Sequence, residues 1–139
     1  MQNPILVPVV ALAAWTMMMG MWMVATRVPA ILKARMKLDP NAIRGEQMST
    51  LPPRIRWKAD NYNNLMEQPT VFYAIALTLA ISGNNSELNL KLAWAYVGLR
   101  VVHSLVQSLI NIVRIRFAAF FLASMVLIAL IVNTLRSII

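Results

Sequence analysis

The sequence contains no cysteine. A disulfide, a zinc–thiolate centre and a cysteine nucleophile are all excluded, and any thiol chemistry must use a thiol carried by a substrate. Histidine occurs once and never in HExxH-type spacing, so a catalytic metal centre lacks its ordinary ligands. No metal site is expected, and a haem could draw at most one axial histidine from each chain. Acidic residues are scarce as well: five Asp and Glu stand against thirteen Lys and Arg, for a net charge of +8. Only 13% of the residues are charged, about half the ~25% of ordinary soluble domains. Apolar residues take their place, at 59% of the chain with a mean hydropathy of +0.62.

A helix needs about 20 apolar residues to cross a hydrocarbon core about 30 Å thick. The 139 residues leave room for four such helices and little else. The expected fold class is all-α: one integral membrane four-helix bundle covering residues 1–139. Spans are expected at about 4–33, 56–82, 88–112 and 117–136, with a long connection at 34–55. The first run has no charge before Arg27 and no basic leader, so it reads as a retained helix rather than a cleaved signal. Its cluster of Met17, Met18, Met19, Met21 and Met23 reads as soft packing rather than a metal box.

The positive charge is concentrated. Lys33, Arg35, Lys37, Arg44, Arg54, Arg56 and Lys58 gather in and around the first connection, Arg114 and Arg116 in the third, and only Lys91 near the second. The positive-inside rule then puts connections one and three on the cytoplasmic side and both termini on the other. Membrane lipids are expected partners, and anionic headgroups suit the basic connection. Nucleic acid is not expected, because the basic segment is flanked by spans and lacks interleaved exposed aromatics. Within the connection, Asp39-Pro40 reads as a helix start and Asn41–Met48 as a short amphipathic piece, stopped by Pro52-Pro53. A connection of this length suits a lid.

Two helices carry unusual polar residues. Asp60, Asn64 and Glu67 fall on one face of the second helix, which Pro69 should kink. A carboxylate such as Glu67 at the mouth of an apolar run needs a cationic partner or an aqueous cavity. In the third helix Tyr96, Arg100, His103, Gln107 and Asn111 form a continuous stripe, with Ser104 and Ser108 beside it. The stripe either joins helices by hydrogen bonds or builds a site. The Gly83-Asn84-Asn85 turn makes these helices antiparallel neighbours, so Glu67 is expected to pair with Arg100 directly or through one side chain. A transporter or proton path through Glu67 and His103 would call for inverted repeats and broken helices, which the sequence does not suggest.

The motif Asn64-x-x-Glu67 with Pro69 and Phe72, then Arg100-x-x-His103, then Arg116 at the start of the fourth helix, resembles the MAPEG family. These are membrane-associated proteins in eicosanoid and glutathione metabolism. The resemblance implies a homotrimer that binds glutathione between subunits near the cytosolic end. Asn64, Glu67, Arg100, His103 and Arg116 match the family's glutathione contacts by position. Arg116 matches the arginine that holds the thiolate, and a guanidinium near sulfur lowers a thiol pKa by favouring the anion. Asp60, Asn63 and Gln107 stand where eukaryotic glutathione-using members carry an arginine, in some cases a basic residue, and commonly a tyrosine. The chain is therefore similar to divergent bacterial-type members, which implies an inner or plasma membrane location.

The implied activity is a glutathione-dependent transferase or peroxidase acting on lipophilic electrophiles. Arg116 would be catalytic, and Asn64, Glu67, Arg100, His103 and Gln107 substrate-binding. The alternative is a non-catalytic trimeric scaffold or lipid-binding protein of the same fold. The charge pattern makes a prediction of its own: cysteines introduced as Ser49→Cys and Asn85→Cys should react with an impermeant maleimide from opposite sides of the membrane. Reaction of both from one side would rule out the four-span arrangement.

Overall fold

The computed structural model describes residues 2–139, and its regular structure is entirely helical among those residues. Five helices make up the bundle: α1 (Leu6–Lys33), α2 (Pro53–Leu65), α3 (Pro69–Ser82), α4 (Glu87–Leu109) and α5 (Val113–Ile138). A short 3-10 turn at Met48–Thr50 precedes α2. Three segments are long and apolar enough to cross a membrane: α1, the α2–α3 pair taken together, and α5. With 23 residues, α4 has comparable length, but its polar stripe makes it the least apolar of the four.

The second helix is broken rather than bent. Pro69 lacks an N–H and its ring excludes the carbonyl four residues back, so helical bonding cannot run through it. Residues 66–68 tighten into a turn, with Met66 N–H on the Asn63 carbonyl at 3.1 Å and Glu67 N–H on the Asn64 carbonyl at 3.2 Å. Pro69 then occupies the first turn of α3, where a missing N–H costs nothing. The two halves differ in character. The polar α2 packs mainly on α1 and α4, while the apolar α3 lies against α5 and α1.

Helix ends follow local chemistry. Gly83 closes α3 with φ 73°, a left-handed conformation that favours glycine. Ser86 caps α4 by accepting from the Asn89 N–H at 3.2 Å. At the end of α1 a Schellman pair forms instead on a non-glycine, Arg35 at φ 50°, with Met36 N–H on the Ile31 carbonyl and Arg35 N–H on the Leu32 carbonyl. The fourth span starts earlier than expected. Arg114 and Arg116 lie in the first turns of α5, not in a connection.

The connection between α1 and α2 is also simpler than expected. No helix forms at Asn41–Met48. Asp39 accepts from the Asn41 N–H at 2.9 Å, which makes an Asx turn rather than a helix cap. Gln47 ties the loop back on itself through the Asp39 N–H and the Lys37 carbonyl. Leu51 is buried and seats the far end.

Because α4 touches α1, α2 and α5, it forms the centre of the bundle. Its buried side is largely polar: Asn89, Arg100, His103, Ser104, Gln107 and Ser108, with Ala93, Tyr96 and Val97. Trp94, Val102, Leu105 and Leu109 are exposed on its outer side. This inversion of the soluble pattern suits a lipid solvent, where polar groups are stable only inside the bundle. Small residues on both helices, Ser104 and Ser108 on α4 and Ala119 and Ala123 on α5, allow the close approach. Between α1 and α2 a glycine makes room for an aromatic ring. A Cβ on Gly20 would lie 2.9 Å from the Tyr62 ring.

Deeper in, Phe72 of α3 stacks on Tyr96 of α4 with centroids 4.6 Å apart and an interplanar angle of 17°. The Tyr96 hydroxyl donates to Gln68 at 3.2 Å, and the Gln68 amide donates to Ser124 of α5 at 2.8 Å. Three helices thus meet at one buried aromatic with its polar end satisfied. Phe72→Ala should lower stability in detergent by about 3–5 kcal/mol, the usual cost of a truncated core aromatic. Phe121→Ala, at a lipid-facing position, should cost far less. Thermal unfolding of the two variants makes the comparison.

Candidate functional site

The site begins at the break in the second helix. Arg100 of α4 is fully buried, at 0% exposure. Its Nη2 donates to Asn64 Oδ1 at 2.6 Å and to the Asn64 main-chain carbonyl at 3.1 Å. That carbonyl lies in the last turn of α2, where Pro69 has interrupted helical bonding. The buried guanidinium thus finds acceptors at the end of α2, on a carbonyl that also takes the Glu67 N–H at 3.2 Å. The ring of Phe120 lies 6.0 Å from the guanidinium carbon, at the outer limit of a cation–π contact.

Glu67 is not Arg100's partner. Its side chain is exposed, and it makes no ion pair among the described residues. The break explains the difference. Sequence spacing puts Glu67 on the Asn64 face only if helix geometry continues, and it stops at Leu65. Asp60 is exposed too. The one ion pair among the described residues is Lys91 with Glu87, an exposed i,i+4 pair of small energetic weight.

Beside Asn64 lies a cavity of about 250 Å³, lined by Asn64, His103, Gln107, Val113, Arg116, Phe117 and Phe120. Four of the six residues expected to form a site share it, and Arg100 stands directly behind Asn64. Glu67 stays outside. His103 and Gln107 reach the cavity from the buried side of α4, one turn apart. Arg116 reaches it from α5, and its Nη1 donates to Asn111 Oδ1 at 2.7 Å. Arg114, two residues earlier, is exposed. The two point about 200° apart on a helix, so only one can face the cavity.

Asn111 has two duties that spacing alone does not reveal. It adopts φ 49°, the left-handed conformation that ends α4, and asparagine tolerates this better than most residues. Its side chain then holds Arg116. The aromatic wall of Phe117 and Phe120 was equally invisible, since both read as lipid-facing residues of an apolar span. The Gln68–Tyr96–Ser124 chain was also missed, because its members lie on three helices.

Two residues that line the cavity carry buried polar atoms without a partner among the described residues, His103 Nδ1 and Gln107 Oε1. Arg100 Nε and Nη1 and the Ser104 and Ser108 hydroxyls are likewise unpartnered but are not part of its lining. No group of three or more His, Cys, Asp or Glu side chains converges among the described residues. The arrangement can hold an anion by its arginines and a peptide-like group by its amides.

Four membrane-length helical segments with a polar cavity at one end define a multi-pass helical membrane protein. The chain belongs to the MAPEG family, whose model matches residues 5–136, nearly the whole chain. No curated protein and no solved structure gives a match.

The bond between Arg100 and Asn64 should appear as coupling. Asn64→Ala removes a hydrogen bond to a buried charge, worth about 1.5–3 kcal/mol. Arg100→Ala should also destabilise, and the double variant should cost less than the two separate losses added together. Exposed Glu67→Ala should stay within about 0.5 kcal/mol of the parent. Thermal unfolding in one detergent provides all four values, and additive losses would mean that Asn64 and Arg100 do not share a network.

Proposed function

We propose that the cavity binds glutathione and that Arg116 holds its thiolate for attack on a lipophilic electrophile arriving from the bilayer. The observation that carries this reading is the convergence of Arg116, Asn64, His103 and Gln107 on one cavity, in a chain with no thiol of its own. Family membership supports a glutathione-related transferase or peroxidase activity at the level of the family.

The chemistry assigns each residue a part. The guanidinium of Arg116, held by Asn111, stabilises the sulfur anion against its protonated form. In a transfer reaction the thiolate forms a bond to the electrophilic carbon as the leaving group departs with its electron pair. Asn64 and Gln107 present amide groups to the peptide, and His103 adds a ring nitrogen. Arg100 supplies positive charge behind Asn64 and keeps α4 fixed to the end of α2. Glu67, exposed beside the break, is placed to receive the ammonium of a glutathione extending out of the cavity.

A cavity of about 250 Å³ falls just below the roughly 300–1,000 Å³ of complete small-molecule sites. In this reading a neighbouring copy closes the open side, and the assembly is a homotrimer. Exposed apolar side chains on the outer faces of α4 and α5 meet lipid and the adjacent subunits. The basic end lies on the cytoplasmic side, where glutathione is available to it.

Turnover of a chlorodinitrobenzene with glutathione tests the assignment. Losing a charge that stabilises the thiolate by one pKa unit corresponds to about 1.4 kcal/mol, so Arg116→Leu should cut the rate about tenfold or more while unfolding temperature changes little. Arg114→Leu, at an exposed position, is the matched control and should change the rate less than about twofold. Absence of glutathione binding by calorimetry, together with absence of conjugation and peroxidase activity, would replace the enzyme with a non-catalytic member of the same fold.

A further inference from the structure

A second cavity, of about 430 Å³, lies at the same basic end but between different elements. Arg27 near the end of α1, Arg44 of the connection and Arg56 of α2 line it, with Ser49, Asp60 and Asn63. None of these residues belongs to the cavity of Arg116. Three guanidiniums sharing one cavity repel one another, and a single carboxylate, Asp60, offsets only one of them. None of the three makes an ion pair among the described residues. The Nε–H groups of Arg27 and Arg56 are closed off from solvent and have no acceptor. Such a cluster is stable when an anion with several oxygens joins it.

Depth and shape narrow the anion. Arg27 is the first charge after the uncharged run of α1 and lies within two turns of its end, which puts the cavity at the level of lipid headgroups. Guanidinium forks match phosphate oxygens in pairs. The same connection bounds another cavity, of about 460 Å³, whose lining includes Pro29, Ala30, Leu51 and Ile55. An apolar space on the other flank of the loop suits the glycerol end or an acyl chain of an amphiphile.

We propose that Arg27, Arg44 and Arg56 form a phosphate-binding site, filled by the headgroup of an anionic phospholipid or by a free phosphate. Ser49 and Asn63 add neutral hydrogen bonds to the phosphate oxygens. Asp60 sits on the rim, limits the positive charge and disfavours more highly charged anions. The site shares no lining residue with the Arg116 cavity, and phosphate binding there does not require that the protein activate a thiol.

Binding of dioctanoyl phosphatidic acid to the purified full chain in a neutral detergent, read by calorimetry, tests the proposal. Dioctanoyl phosphatidylcholine is the control for tails, and inorganic phosphate is the soluble probe. Saturable binding of the phosphatidic acid, tighter than the phosphatidylcholine, is expected. Arg44→Gln, an exposed position that does not carry the fold, should weaken it about tenfold through loss of charge-assisted hydrogen bonds. The double variant Arg27→Gln, Arg56→Gln should weaken it further, whereas Arg35→Gln removes the same charge from the same connection and should change it less than about twofold. Phosphate binding as tightly as the lipid, with the same dependence on Arg44, identifies the free anion as the ligand. Failure of both probes to bind overturns the proposal, as does an equal loss from Arg35→Gln and Arg44→Gln.

Discussion

The structure depends on one buried positive charge, Arg100. In a hydrocarbon solvent a guanidinium is tolerable only where the protein supplies acceptors, and helices hold nearly all their carbonyls in internal bonds. The supply comes from a defect. Pro69 interrupts the second helix, and the Asn64 carbonyl at the end of α2 turns to Arg100 together with the Asn64 side chain. The break and the charge are therefore complementary.

That pairing sets the arrangement of the rest. With α4 held to the end of α2, its polar side faces inward and its apolar side faces lipid. The buried polar residues stack along the axis from Asn89 through Arg100 to Gln107 and Ser108, so the inward side of α4 is more polar than its outward side. Packing of Phe72 on Tyr96, with Gln68 and Ser124 satisfying the hydroxyl, fixes α3 and α5 against the same helix. The open cavity then forms where α2 ends, α4 stops and α5 begins. Three helix ends contribute Asn64, Asn111 and Arg116 to that one place.

Two of the cavities at the basic end are lined by arginine. The α2–α4–α5 cavity receives Arg116, with Arg100 behind it. The α1–connection–α2 cavity receives Arg27, Arg44 and Arg56. The long connection belongs to the second, and none of its residues lines the first. Its ordered course, tied by Gln47 and seated by Leu51, instead builds the wall of an arginine-lined cavity.

By itself the sequence determined that the chain is a helical membrane protein, because apolar runs, sparse charge and a lone histidine leave little else. It also determined the Gly83 turn and the polar stripe of α4, since each follows from local backbone chemistry or helical periodicity, and it marked Pro69 as a kink where the structure has a full break. Periodicity placed Asn64 on a polar face and Arg100 and His103 on the stripe, whereas Arg116 was legible only through the resemblance to the MAPEG motif. Only the tertiary structure decided that Arg100 binds Asn64 and not Glu67, because the break rotates Glu67 off the face that regular spacing assigns to it. Likewise, the end of α1 on Arg35 carries no glycine or asparagine to mark it, so packing rather than intrinsic preference selected that left-handed residue. The aromatic wall of the cavity and the convergence of Arg27, Arg44 and Arg56 were also decided there. Residues distant in sequence become neighbours only when helices pack, and no one-dimensional period encodes which faces meet.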